Sequence, residues 1–167
     1  LAAAPALAAD PDPMTVVRPT PPPFDWADPF FTFGVTGTNG KTSTVHLIEA
    51  VIAASGHVPL RISTVDYRLG GVDLHASHTR KGFFDAFAAA REAGARWASV
   101  EVTSRALADH YAKRWRFDLG VFTNLSPDHL STHGSYEAYL AAKAQLFIHL
   151  GPGRTAVFNA ADEHALF

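Results

Sequence analysis

The chain contains no cysteine. Disulfides, zinc–thiolate sites and thiol nucleophiles are therefore excluded, and nothing suggests a secreted disulfide scaffold. No apolar run approaches the roughly 20 residues of a membrane-spanning helix, so no membrane partner is expected. An excess of one charge is also missing: 14 Lys and Arg stand against 16 Asp and Glu, a net charge of −2. Such a balance argues against a general nucleic-acid-binding surface. No internal repeat is visible. What remains is an ordinary globular composition, 47% apolar and 18% charged, over 167 residues. That length predicts one domain around one core.

Most of the prolines fall in residues 9–30, "ADPDPMTVVRPTPPPFDWADPF". Proline fixes φ and removes backbone donors, so this stretch reads as an extended linker. The start "LAAAPALAAD" is rich in small residues like the end of a signal peptide, but it lacks a basic segment and an initial Met. Residues 1–30 are read as a proline-rich linker or the remnant of an upstream segment, and residues 31–167 as the folded domain. Both ends of the chain suggest a piece of a longer protein.

From "FFTFGVTG" onward, strand-like and helix-like segments alternate. Strands are expected at "FFTFGVTG", "VPLRIST", "WASVEVT", "LGVFTNL" and "TAVFNA", with a small hairpin over 67–75 turning at Gly70-Gly71. Helices are expected over 41–55 with Gly56 as C-cap, over 81–95 ending near Gly94, over 105–115, and over 135–150 before Gly151-Pro152. This order predicts an α/β fold, a mainly parallel sheet flanked by helices. Ligands bind at the carboxyl ends of the strands in such sheets. Three informative clusters lie there, after Val35, Val100 and Phe122.

The first cluster is Gly37-Thr38-Asn39-Gly40-Lys41-Thr42, between a strand and a helix. Glycines there let backbone N–H groups turn around phosphate oxygens, and the new helix adds its positive end. Lys41 can reach the β and γ phosphates, and the Thr42 hydroxyl can hold Mg²⁺. Val35 stands where the usual phosphate-loop spacing places its first glycine. A glycine-rich turn with an incidental lysine is the plainer alternative.

"GVTGTNGKTSTV" resembles the ATP loop of the Mur ligases, bacterial enzymes that add amino acids to the cell-wall precursor. "VEVTSRAL" (100–107) resembles the family's Glu-x-Ser-Ser-His segment, and "VFTNLSPDHLSTHGSYEAYLAAKAQLF" (121–147) its Asp-His-Leu-Asp segment and the lysine helix that follows. His133-Gly134 with "AAKAQLF" resembles the MurE type. The resemblance covers residues 31–167. It implies a P-loop-type Mur ligase central domain in which ATP phosphorylates a substrate carboxylate and an amine attacks the acyl phosphate. It implies ATP, with Gly37, Thr38, Asn39, Gly40, Lys41, Thr42, Ser43 and Asn124 around the nucleotide. It implies Mg²⁺ at Thr42, Glu101 and His129, with a second Mg²⁺ at Lys143 once CO₂ has converted its amine to a carbamate. Lys41, Glu101, His129 and Lys143 would serve catalysis. Thr79 and Thr103 would meet the substrate, a UDP-muramoyl peptide or another carboxylate, which is joined to an amino acid. The family also implies a cytoplasmic location, peptidoglycan precursor synthesis, and N- and C-terminal domains that are not in this sequence.

Taken alone, Glu101 also fits a solvated strand-end carboxylate, His129 a capping or loop histidine, and Lys143 a surface lysine. His46, His57, His75 and His110 read as surface or local hydrogen-bonding residues, and Phe83, Phe84 and Phe87 as core. The family pattern breaks at several positions. Arg105 replaces a metal-site histidine, and Asp109-His110-Tyr111 lacks the arginine with which MurE-type enzymes contact the muramoyl substrate. His78-Thr79-Arg80 replaces the Thr-Thr-Pro substrate loop, and Ser131 replaces the aspartate that closes Asp-His-Leu-Asp. Arg80 and Arg105 could form a different anion site. The reading is a diverged MurE-like ligase whose present residues bind Mg·ATP without completing a ligation. The alternatives are a non-catalytic nucleotide-binding module and a folylpolyglutamate synthase-like ligase, whose loop usually reads Gly-Lys-Gly-Ser. A P-loop GTPase would need Asn-Lys-x-Asp, which Asn124-Leu125-Ser126-Pro127 does not supply.

Overall fold

A computed structural model describes residues 29–115, 117–126 and 133–166. The expected linker up to residue 28, together with His129 and Ser131, lies outside the described residues. The chain enters the sheet at once. Phe30, assigned from sequence to the end of the linker, is buried, with its ring edge-on to Phe87 at 5.2 Å.

Strand β1 (Phe31–Thr36) leads through the glycine-rich loop to helix α1 (Lys41–Ala54). Gly56, at a left-handed φ of 83°, closes the end of α1 and donates to the Ala53 carbonyl. β2 (Pro59–Ile62) is buried throughout. The hairpin of β3 (Tyr67–Leu69) and β4 (Val72–Asp73) turns at Gly70 and Gly71, both at positive φ as a tight two-residue hairpin turn requires. α2 (Arg80–Glu92) is capped by Thr79, whose hydroxyl accepts from the Gly82 N–H. β5 (Trp97–Glu101), β6 (Leu119–Phe122), α5 (Tyr136–Ile148) and β7 (Thr155–Phe158) follow, and a 3₁₀ turn spans Glu163–Leu166.

The helix expected over 105–115 is broken. α3 (Ser104–Ala108) and α4 (Tyr111–Arg114) are separated by His110, which stands in the left-handed region at φ 62°. A continuous helix cannot pass through a residue in that conformation.

The sheet order is β4-β3-β2-β5-β1-β6-β7. β2, β5, β1, β6 and β7 run parallel, and the hairpin adds two antiparallel strands at one edge. β1 is central, between β5 and β6. The carboxyl ends of these three strands are therefore adjacent, and there the ligand-bearing loops of an α/β sheet meet.

An aromatic cluster fills much of the core. Phe87 is fully buried, with ring centroids 5.0 Å from Phe83 and 4.5 Å from Trp115. Phe84 packs at its margin, partly buried. Phe87→Ala is expected to cost about 3–5 kcal/mol, the range for emptying a buried aromatic site. A urea titration followed by tryptophan fluorescence measures it, and a loss under about 1 kcal/mol would contradict this packing.

Candidate functional site

The loop after β1 is held from one side by the segment after β6. The Thr38 N–H donates to the Asn124 carbonyl at 2.8 Å, and the Thr123 hydroxyl donates to the Asn39 carbonyl at 2.7 Å. The Asn124 side chain spans the Asn39 peptide. Its Oδ1 accepts from the Asn39 N–H at 2.9 Å and its Nδ2 donates to the Asn39 carbonyl at 3.1 Å. Gly40, at φ 81°, turns the chain into α1, whose start has no side-chain cap. The first-turn N–H groups are thus not taken by a capping side chain, the arrangement that lets a helix start accept an anion. Ser43 is exposed in that turn.

Lys41 curls back over the loop, its Nζ 2.8 Å from the Thr38 carbonyl and 3.1 Å from that of Gly37. Lys143 reaches the same Gly37 carbonyl from α5 at 2.6 Å. The surface-lysine alternative for Lys143 is overturned, since it is 1% exposed. Its Nζ also lies 4.3 Å from the Tyr139 ring centroid, and the Tyr139 hydroxyl is 3.1 Å from that of Thr38. α5 therefore presses two polar tips onto the loop.

At the end of β5, Glu101 Oε2 accepts from the Thr42 hydroxyl at 2.9 Å. It also accepts from the Thr64 N–H at 3.2 Å and the Thr64 hydroxyl at 3.3 Å. Glu101 is a held carboxylate rather than a solvated strand end. Lys41, Glu101, His133 and Lys143 line one open cleft of about 410 Å³ with Thr103 and Arg105. An adjoining cavity of about 270 Å³ is walled by Tyr67, Phe83, Tyr111 and Phe117, with Thr79 and Arg80 also lining it. Glu101, Thr64 and Thr103 belong to both. Arg80 and Arg105 thus line separate, neighbouring cavities and do not share one. Burial raises the pKa of the Tyr67 and Tyr111 hydroxyls above the ordinary phenol value, so both remain protonated.

Thr79 and Thr103 line these spaces, but each hydroxyl also caps a helix, accepting from Gly82 and Ala106. Two contributors went unseen in the sequence. Thr64 stands just past β2, at a strand end that no motif marks. Ser104 bonds the His133 Nε2 at 2.9 Å across a long chain separation.

The parallel sheet and the loop after its central strand define an α/β domain of P-loop type. The chain belongs to the Mur ligase family: the Mur ligase middle domain matches residues 35–167. It is 41% identical over 140 residues to the UDP-N-acetylmuramoyl-L-alanyl-D-glutamate–2,6-diaminopimelate ligase of Geobacter metallireducens, covering 78% of this chain and 27% of that protein. The ligase of the same name from Synechococcus sp. (strain WH7803) is 44% identical over 135 residues, covering 77% and 27%. A solved structure of a ligase with this name superposes at a TM-score of 0.72 and 32% identity, over 82% of this chain and 28% of that one. Mycobacterium tuberculosis folylpolyglutamate synthase complexed with ADP, at 19% identity and a TM-score of 0.68 over 84% and 40%, shares the fold. The chain spans 27% of the length of the first of these relatives. Among the described residues, no helix is long and apolar enough to cross a membrane.

Proposed function

We propose that this chain is the ATP-binding central part of a cytoplasmic, MurE-like carboxylate–amine ligase. The observation that carries this reading is the meeting of Lys41, Lys143 and the Thr42–Glu101 pair around one glycine-rich loop. A carboxylate and a triphosphate repel each other, so the site must supply positive charge and fixed donors. Lys41 would leave the loop carbonyls for the β and γ phosphates. The remaining N–H groups of the loop and those of the first turn of α1 would bind phosphate oxygens, while those of Thr38 and Asn39 already donate to Asn124, which braces the loop.

Glu101 and Thr42 offer hard oxygen donors, the chemistry that suits Mg²⁺. Among the described residues, no three of His, Cys, Asp and Glu gather into a metal cluster. That fits Mg²⁺ held by one or two carboxylates together with substrate phosphates. Bound there, Mg²⁺ would offset phosphate charge. His129 belongs to the same proposed metal set, and Lys143, as a carbamate, would hold a second Mg²⁺. Its burial against the loop supports a role in the site. Thr79 and Thr103 would face the carboxylate substrate, a UDP-muramoyl peptide or another acid. The amino acid would be brought by further domains of a longer chain, with the proline-rich sequence before residue 29 as the link on one side.

Identity near 40% to diaminopimelate ligases favours this branch over the folate ligases, which are similar in fold at lower identity. The non-catalytic module remains the second reading because Arg105 stands where the family resemblance implies a metal-site histidine. Calorimetric titration tests the nucleotide reading. The chain is expected to bind Mg·ATP, to discriminate against Mg·GTP, and to form no amide product. Absence of ATP binding by the folded chain would overturn the nucleotide reading in both forms, and amide formation would overturn the assignment of ligation to the longer protein.

A further inference from the structure

We propose that Arg61 is a positioning residue for the Glu101 carboxylate, tying together the two segments that hold it. The proposal rests on the Mg·ATP reading above. Arg61 is fully buried in the middle of β2, in register with Ser99 of β5. An arginine there is costly unless its guanidinium is fully engaged. Nε donates to Glu49 at 2.6 Å, and Nη1 and Nη2 fork onto the Asp66 carboxylate at 2.6 and 3.0 Å. Nη1 also lies 2.8 Å from His46 Nε2 and 3.4 Å from the Ser63 hydroxyl. The Arg61 hydrogen bonds hold the Asp66 carboxyl below the usual carboxylate range, so the pair stays ionised near neutrality.

Those partners fall into two groups. Glu49 and His46 lie on α1, the helix that begins with Lys41 and Thr42. Ser63 and Asp66 bracket the turn that carries Thr64. The Ser63 hydroxyl accepts from the Val65 and Asp66 N–H groups, both at 3.1 Å, and the Ser63 N–H donates to the Asp66 carbonyl. Thr42 comes from the first group and Thr64 from the second, and both donate to the same oxygen, Glu101 Oε2. Arg61 thereby fixes the spacing between two donors that neither touches it nor adjoins the other in sequence. With Oε2 committed to both, Glu101 presents Oε1, which takes no hydrogen bond among the described residues, to a cation in the cleft.

A buried ion cluster that served stability alone would be replaceable by apolar side chains at little cost. The two roles separate in the metal dependence of nucleotide binding. ATP affinity is measured by calorimetry with Mg²⁺ and again with EDTA, on the wild-type chain and on Arg61→Met, Asp66→Asn, Thr64→Val and Thr64→Ser. Positioning predicts that Arg61→Met, Asp66→Asn and Thr64→Val weaken Mg·ATP binding about 10-fold, as loss of groups behind a metal ligand does. Metal-free ATP binding stays at the wild-type value, and Thr64→Ser keeps the full Mg²⁺ gain. Should Arg61→Met not fold, Asp66→Asn and the exposed Thr64 carry the test.

Equal losses with and without Mg²⁺, or no loss in Asp66→Asn, would overturn the proposal. So would a loss confined to Thr64→Val. A wild-type chain that gains nothing from Mg²⁺ would overturn the metal reading and this proposal together, whereas a wild-type gain with unaffected variants would overturn this proposal alone.

Discussion

Lys41→Ala weakens ATP binding by roughly 30- to 150-fold, the equivalent of about 2–3 kcal/mol for a charge-assisted hydrogen bond to phosphate. The melting temperature stays close to that of the wild type. This separation follows from where the side chain rests. Lys41 is only partly buried, and its two hydrogen bonds go to the carbonyls of Gly37 and Thr38, which can turn to water when the ammonium is removed. Its contribution to folding is therefore small, while its contribution to binding a triphosphate comes from a charge that nothing else at the loop tip replaces. Lys143 does not take over, being 1% exposed with its Nζ held 2.6 Å from the Gly37 carbonyl. Calorimetry with Mg·ATP and a thermal melt of the same sample give both numbers. Unchanged affinity would remove the loop from the proposed site.

The second large effect is expected at Gly37. Its φ is +150°, and an added Cβ would lie 1.8 Å from the Thr123 hydroxyl and 3.0 Å from the Asn124 nitrogen. Thr123 cannot swing away freely, since its hydroxyl donates to the Asn39 carbonyl at 2.7 Å and lies 3.3 Å from that of Thr36. Gly37→Ala must therefore break the contact between the loop and the end of β6. Strained backbone and overpacking together cost about 2–5 kcal/mol, and the carbonyl that both lysines share is displaced. A lowered urea midpoint with loss of ATP binding is the expected result. Gly71→Ala serves as the comparison, because Gly71 also has a positive φ but an added Cβ would meet nothing within 4 Å. A Gly37→Ala chain as stable as Gly71→Ala would mean that the loop is not clamped as described.

Much of this arrangement is legible in the sequence because it is local. Strand and helix periods alternate cleanly, Gly70-Gly71 announces its hairpin, and the loop residues lie consecutively between strand and helix. The breaks come where distant contacts decide. No glycine or proline marks His110, so the stretch 105–115 reads as one helix, yet the chain turns there in a left-handed conformation. On helical spacing alone Lys143 reads as a surface lysine; the family resemblance marks it as a site residue, and its acceptor at Gly37 lies 106 residues away. Arg61 has the same character. Within "VPLRIST" it looks like a polar residue on a strand, and the partners that make it a core residue come from α1 and from the next turn. Thr64 is invisible for a related reason, since its importance lies in the carboxylate that it meets.

The central position of β1 has a mechanical consequence. The phosphate loop, Glu101 and Asn124 hang from three adjacent parallel strands, whose separation of about 4.8 Å is fixed by the backbone ladder. Flexing in the longer protein proposed above would swing a substrate toward this frame or away from it, while the backbone ladder keeps the distances within the frame. On the ligase reading proposed above, this part of the molecule is the anvil, and the travel belongs to the other components.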